Sequence, residues 1–360
     1  MNSVKSILQE LIERVVVEKA DLSKAETVFA FDSIFNGNES DITIGSFLTA
    51  LAMKGESDDE ILGAYEAVRE KEYAFGPAVG PSIDICGTGG ETLKTFNIST
   101  AAAIVTAASG CRVAKHGNRS NSGPCGSADF LEAIGFDLQS PSERLLRSLE
   151  QVGITFLFAP NFHPSMKKIS TVRRAVGIRT VFNIIGPLCN PCVNLSGQLI
   201  GVFKPSLLTQ VTNVMKNSNL RRFMVAYSQD GFDELTNTCD NKAIYFNQGE
   251  LSTILIHPQD FDLALSKREA LTISSKEESV RTTMEAIYGY ASKQVQDAVV
   301  LNAAAALLIG NSVDKLSEGI ELARSNIRNG NARATLHELI KECGDEEKLL
   351  TVEPTLRKRH

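Results

Sequence analysis

"DICGTGGETLKTFNIST", Asp84 to Thr100, is the stretch on which the reading of the chain turns. Ile83–Cys86 is a short β-branched run, Gly87-Thr88-Gly89-Gly90 breaks it, and an uncharged Ala-rich stretch follows from Ser99 to Ala108. That order reads as strand, glycine loop and helix. Glycines let backbone N–H groups approach an anion with no Cβ atom in the way. A helix opened by Asn97-Ile98-Ser99-Thr100 aims its free N–H groups and the positive end of its dipole at the same point. The stretch is shaped for phosphate. It is neither a dinucleotide fingerprint, whose third glycine would fall at Thr92, nor a Walker A loop, since no G-K-[ST] follows. A plain glycine turn and an ordinary helix cap account for either half alone, and less well for the two together.

The two flanks of this stretch differ in texture. Before it, Leu8, Leu11, Ile12 and Val15, then Phe47, Leu48, Leu51 and Ala52, recur at helical spacing. Ser57-Asp58-Asp59-Glu60 has the form of a capping box opening a helix over Asp58–Glu72. Gly76-Pro77 and Gly80-Pro81 then mark a boundary, giving a small helical domain over 1–75. After it, short apolar runs alternate with helical stretches, the pattern of βαβ units in a mostly parallel sheet. Strands are expected at Ile83–Cys86, Arg112–Ala114, Thr155–Phe158, Leu199–Val202 and Phe223–Tyr227, with a hairpin of Ala243–Phe246 and Ser252–Ile256. The fold class is α/β: a large domain with a mostly parallel central sheet flanked by helices, plus a small all-helical domain. The end of the chain, beyond 345, reads as a tail.

Composition narrows the function. The chain has 360 residues, 43% of them apolar, and its 37 basic against 43 acidic residues leave a net charge of −6. No overall positive field recruits nucleic acid or an anionic membrane, so any anion site must be local. Charges interleave the apolar residues of Met1–Glu18, as in an amphipathic helix rather than a signal peptide, and no apolar run is long enough to span a membrane. A cytoplasmic location is expected. Seven scattered cysteines point to reduced thiols, and the lone C-x-x-C at Cys189 and Cys192 has no second pair to complete a zinc site.

Three further segments carry chemistry. Lys115-His116-Gly117-Asn118-Arg119 offers two fixed charges after a strand, and Ser120–Gly126 adds hydroxyls and a flexible backbone before a helix beginning near Ser127. Two such loops suit two phosphate groups, although either alone could be a solvated turn. Asp233-Glu234, beyond a strand and the turn Gln229-Asp230-Gly231, suits a hard cation such as Mg²⁺ bridging to phosphate. By itself it reads more readily as an acidic surface turn, and the phosphate loops elsewhere in the chain reverse that preference. Finally, His163-Pro164 precedes a helix bearing Lys167, Lys168, Arg173 and Arg174, with Arg179 beyond; a buried member of this set could grip a carboxylate in two-pronged fashion. A lone His163 is more readily structural than catalytic.

Taken in order, G-T-G-G, N-x-S-T, K-H-G-N-R, G-S-A-D, D-E and the block from His163-Pro164 through "VRRAVGIRTVFNIIGP" to Asn190-Pro191 resemble the anthranilate phosphoribosyltransferase family, over about Leu8 to Cys343. The resemblance implies transfer of a phosphoribosyl group from 5-phosphoribosyl 1-pyrophosphate (PRPP) to anthranilate, in tryptophan biosynthesis, without a covalent nucleophile. It implies a homodimer formed through the helical domain, to which residues 165–188 return, while 76–164 and 189–345 form the donor-binding domain. It implies Mg²⁺, as two ions, on Ser99, Asp233 and Glu234. Gly87, Thr88, Gly89, Gly90, Glu91, Thr95, Asn97, Ser99, Thr100, Lys115 and Ser127 would hold PRPP. Gly87, His116, Asn118, His163, Arg173, Gly186 and Pro187 would line the anthranilate path, Arg173 taking its carboxylate. Two departures stand out: Glu91 where the family has Asp, and Ser122-Gly123-Pro124-Cys125 where it has more Ser and a Lys. The neighbouring possibilities are a pyrimidine-nucleoside phosphorylase, which has a glycine-rich version of the K-H-G loop, and a non-catalytic relative that binds nucleic acid.

Overall fold

The computed structural model describes residues 5–76, 80–89, 94–120, 123–263 and 265–356. Four helices open the chain: α1 (Ile7–Glu13, continued by a π-helical turn to Glu18), α2 (Lys24–Asn36), α3 (Asp41–Lys54) and α4 (Asp58–Glu70). The expected capping box is present, Ser57 Oγ accepting from Glu60 N at 3.3 Å and Glu60 Oε2 accepting from Ser57 N at 2.8 Å. Then follow β1 (Ser82–Gly87), α5 (Ile98–Ala108), β2 (Val113–Gly117), α6 (Ser127–Ala133), α7 (Ser142–Arg147), β3 (Ile154–Phe158), α8 (Ala159–Phe162), α9 (Pro164–Val176) and α10 (Val181–Ile185). The remainder is β4 (Leu195–Val202), α11 (Pro205–Met215), β5 (Arg222–Ser228), β6 (Asn241–Asn247), β7 (Glu250–Ile256), α12 (Lys276–Ile287), α13 (Lys293–Ile309), α14 (Leu316–Arg328), α15 (Asn331–Cys343) and α16 (Glu346–Val352).

The strands form one sheet in the order β3-β2-β1-β4-β5-β6-β7, parallel from β3 through β5 and antiparallel at β6 and β7. All the expected strands are there, and the hairpin turns through Gln248 and Gly249, both at positive φ. On one face lies α5, whose residues Ala101 to Ala107 are all buried; its small side chains let α13 and α15 pack closely against it. The other face meets α10 and α11. The segment after His163 turns back to the first helices: α9 packs on α2 and α3, α10 on α3 and α4, and Phe182 sets its ring edge-on to Phe31 with centroids 5.4 Å apart. Near this junction the linker after α4 is hydrogen-bonded to two later segments, Tyr73 N donating to Phe162 O at 2.8 Å and Phe75 N to Pro191 O at 2.9 Å.

The end of the chain corrects the sequence reading of a tail. Residues 346–352 are helical, Asp345 caps them, and Leu349 is wholly buried. Glu353 beyond them accepts from His337 and Tyr288. One buried leucine per short helix gives too weak a periodicity to read.

Strand β1 holds the centre: its successor β2 lies on one side and β4 on the other. The crevice at the carboxyl ends of two such strands is where open α/β sheets bind ligands.

Candidate active site at the β1 and β4 strand ends

The glycine loop leaves β1 at this crevice. Thr88 N donates to Gly201 O at 2.9 Å across to β4, and Gly89, at φ +65°, turns its N–H onto Asp233 Oδ2 at 2.7 Å. The acidic pair is therefore not a surface turn. Asp233 and Glu234 are buried, 6% and 8% exposed. Glycines make the room: a Cβ on Gly87 would stand 2.2 Å from Asp233 Oδ2, and one on Gly201 only 1.8 Å from the Asp233 carbonyl oxygen. Gly201 escaped the sequence reading, because a glycine inside an apolar strand signals close backbone approach without saying to what.

Ser99, at the start of α5, hydrogen-bonds Glu234 through its backbone and its hydroxyl. Lys115, buried in the middle of β2, donates to Ser99 Oγ at 3.2 Å and to Ile85 O at 2.5 Å. Burial, and next the charge of Asp233, push the Glu234 carboxyl well above the usual range, against the opposing pull of Lys115 and Ser99. The hydroxyls of Thr88 and Thr100 are buried with no hydrogen-bond partner among the described residues. Gly87, Thr88, Gly89, Ser99, Lys115, Asp233 and Glu234 thus come together; Gly90 and Glu91 lie outside the described residues.

Asn97 does not cap α5 with its side chain. Its Nδ2 reaches Ser279 Oγ of α12 at 3.1 Å and Cys125 Sγ at 3.5 Å, so it ties the first loop to the second. Thr95 bridges to Thr272 beside it. In the second loop Asn118 is exposed, and its carbonyl accepts from Ser127 Oγ at 3.2 Å. Arg119 is not the free charge the sequence suggested: it is held by Asp129 at 3.0 Å and Glu132 at 2.7 Å. Asp129 also closes the loop, accepting from Ser120 N and Gly126 N at 2.9 Å each. Of the unusual run at 122–125, Ser122 lies outside the described residues, and Cys125 is a buried thiol that burial pushes up.

On the other side of β2, His116 and His163 face each other with Nε2 atoms 3.3 Å apart. Burial holds both neutral, His163 down at about 4. Pro187 packs over β1, its carbonyl accepting from Gln198 Nε2 at 2.9 Å, while a Cβ on Gly186 would meet nothing within 4 Å. Arg173 stands ten residues beyond His163, about 15 Å along α9 at helical rise. Its guanidinium lies 5.1 Å over the Phe182 ring, burial lowers its pKa, and it forms no ion pair among the described residues. The structure therefore places Arg173 near the far end of α9 rather than beside the histidines. Cys189 and Cys192 are separate buried thiols; burial raises both.

A helical bundle leading into an α/β sheet with a glycine loop and acidic pair at the strand ends defines the class. Residues 5–71 match the helical bundle domain of the glycosyl transferase family, and residues 79–333 match its a/b domain. Among curated relatives, anthranilate phosphoribosyltransferase of Acetivibrio thermocellus is 42% identical over 334 residues, 93% of this chain and 96% of that protein. The Synechococcus elongatus enzyme of the same name is 41% identical over 335 residues, 92% of this chain and 95% of its own. The crystal structure of anthranilate phosphoribosyltransferase from Thermus thermophilus superposes with a TM-score of 0.84 at 33% identity, covering 92% of this chain and 98% of that one. The Saccharomyces cerevisiae enzyme, solved in complex with PRPP and Mg, shares the fold with a TM-score of 0.85 at 23% identity, over 94% of this chain and 98% of that one. The chain belongs to the anthranilate phosphoribosyltransferase family.

Proposed function

We propose that the protein transfers the phosphoribosyl group of PRPP to the amine of anthranilate, releasing pyrophosphate. The observation that carries this reading is the buried Asp233–Glu234 pair seated against the glycine loop and Ser99. Two adjacent carboxylates out of water repel each other and cost stability unless something cationic is to be held there. Their oxygens, with the Ser99 hydroxyl, form an all-oxygen donor set that fits Mg²⁺, which binds through one or two carboxylates and substrate phosphate. When bound, the ion would neutralise charge on the departing diphosphate. Titration calorimetry with Mg²⁺ counts the ions, two being the expectation.

The chain's own groups divide the remaining work. Loop N–H groups, the buried Thr88 and Thr100 hydroxyls and Lys115 suit the donor's phosphates, with Asn97 tied to Cys125 of the second loop and Ser127 bracing that loop at Asn118. Gly90, Glu91 and Thr95 join this set on the family pattern. On the acceptor side, neutral His116 and His163, with Asn118, Gly186 and Pro187, would line the path, and Arg173, which pairs with no carboxylate among the described residues, would take that of anthranilate. Such a reaction asks for stabilised leaving charge and a positioned amine, not a protein nucleophile.

The test is loss of anthranilate fluorescence with PRPP, with and without Mg²⁺. Mg²⁺-dependent loss is expected; none under any condition refutes the reading.

The helical part supports a homodimer. Ile42, Met53 and Val17 are 83%, 74% and 72% exposed, and Ile12, Val16, Val172 and Val176 line a groove between α1, α3 and α9. Apolar surface of this kind marks an interaction face. Light scattering should give twice the chain mass, and Ile42→Asp should halve it.

A further inference from the structure

The floor of the acceptor side contains a charged group that the reaction proposed above leaves unused. Asp84 lies in the middle of β1, wholly buried, on the sheet face it shares with Cys86 and Gln198. Both of its oxygens are occupied. Oδ1 accepts from Ile85 N at 2.8 Å and from His116 N at 3.2 Å. Oδ2 accepts from Gln198 Nε2 at 3.1 Å, and the Asn190 side chain hydrogen-bonds the same carboxylate. Gln198 Nε2 also donates to Pro187 O at 2.9 Å. Asn190 in turn donates to Ala114 O at 2.8 Å and accepts from Cys192 N at 2.9 Å.

A single carboxylate thus gathers groups from β1, β2, β4 and the segment 187–190. The sheet does not need it: β1 pairs through its backbone, and Ile83 and Ile85 supply apolar packing on the opposite face. A buried charge carries a desolvation penalty that a well-packed apolar side chain would avoid. What the carboxylate supplies is placement, because hydrogen bonds have direction and apolar contacts do not.

We propose that Asp84 is a positioning residue for the acceptor, setting His116 through the β2 backbone and the Gly186-Pro187 wall through Gln198. The inference rests on the phosphoribosyl-transfer reading. Asp84 touches neither reactant; it acts through the two walls between which anthranilate would lie, and the nearest donor-side group, Lys115, meets it through charge and not through a hydrogen bond.

Two variants test it. Asp84→Asn keeps the oxygen for Ile85 and His116 but turns an amide N–H₂ on Gln198; flipping Gln198 to relieve this strips Pro187 O of its donor. Gln198→Met keeps the length of the side chain, removes the donor, and leaves Asp84 its bonds to Ile85, His116 and Asn190. With each substrate varied separately, both variants should raise the KM for anthranilate by about tenfold, the worth of one hydrogen bond, with the KM for PRPP within about twofold. An unchanged anthranilate KM, or equal rises for both substrates, overturns the inference. Should Asp84→Asn not fold, Gln198→Met decides alone. Wild-type protein that consumes no anthranilate overturns the activity reading itself, and the inference with it.

Discussion

Gly201→Ala puts the seat of the acidic pair to a direct test. Gly201 lies in β4 with no positive φ, so alanine suits its backbone; the difficulty is space alone. The new Cβ would sit 1.8 Å from the Asp233 carbonyl oxygen and 2.3 Å from its carbon, about 1.6 Å short of the 3.4 Å at which ordinary contact begins. Those neighbours are backbone atoms and cannot swing aside as a side chain would. Asp233 must back away by more than an ångström, or β4 must bend, and either loosens the 2.7 Å bond from Gly89 N and the contact of Glu234 with Ser99. Overpacking of this kind costs about 1–3 kcal/mol of stability. A displacement near 1 Å in a catalytic constellation costs about a hundredfold in rate. Initial rates against Mg²⁺ concentration, with both substrates saturating, should show kcat down about a hundredfold and half-saturation moved to higher Mg²⁺. Circular dichroism and a melting curve check that the variant is folded. A folded Gly201→Ala protein with the wild-type rate and Mg²⁺ response would refute the assignment of Asp233 and Glu234 to the reaction.

The remaining predictions use the acceptor side and the junction. Gly186→Ala adds a methyl where nothing stands within 4 Å, so the melting temperature should hold while the KM for anthranilate rises; unchanged kinetics would remove Gly186 from the path. Arg173→Ala should raise the anthranilate KM by about 10- to 100-fold, the range for a charge-assisted hydrogen bond, and leave that for PRPP alone. Arg173→Lys should recover only part of the loss, since an ammonium cannot grip both oxygens, and equal losses for both substrates would refute the role. Two buried groups oppose each other in pH dependence. His163, held at about 4 against 6.5 unfolded, contributes stability that is complete above 6.5 and lost as pH falls through 4. Glu72, raised to about 7 by burial although Arg69 is 2.8 Å away, contributes stability that is complete below 4.5 and lost as pH rises through 7. From pH 5 to 7, relative to wild type, Glu72→Gln should therefore make stability climb more steeply and His163→Gln less so, by up to about 1.4 kcal/mol per pH unit. Parallel urea-midpoint curves for the three proteins would show that neither group is perturbed.

What was legible in the sequence was what local chemistry encodes. Strand, glycine loop and helix at 83–108 could be read because β-branched residues, glycines and an Ala run each prefer one backbone state, and the capping box at Ser57 is a four-residue signal. That Asp233-Glu234 belonged with Gly87–Gly89 was an inference from chemistry, and the Gly89 N–H on Asp233 Oδ2 gives it a geometry. Arg119 misled because its acidic partners, Asp129 and Glu132, lie one and nearly two turns into the following helix region, where sequence spacing does not show which way a loop arginine folds. Asp84, Gln198 and Gly201 were unreadable for a different reason. Each matters only through a residue far along the chain, on another strand or in the loop beyond one, and no local pattern marks such a pairing.

On the proposed reaction, the donor and acceptor halves of the site differ in what they are built on. The donor half rests on backbone: glycines of β1 and β4 pressed against Asp233, a loop N–H on its carboxylate, and Lys115 bonded to a strand carbonyl. The acceptor half has a fixed floor, Asp84 and Gln198, but its outermost cation, Arg173, rides on α9, which packs on α2 and α3. A displacement of the first helices relative to the sheet would carry Arg173 with them and leave the acidic pair where it is. The same helix presents Val172 and Val176 to the exposed groove, so its two ends of influence, the carboxylate grip and the apolar face, are one rigid body. If Arg173 grips the carboxylate as proposed, affinity for the aromatic acid depends on how the helical part is held and affinity for the sugar phosphate does not. That asymmetry follows from where the charges are anchored, and it is why a substitution at Gly201 should show in kcat and the Mg²⁺ response whereas one at Arg173 should show in the KM for anthranilate alone.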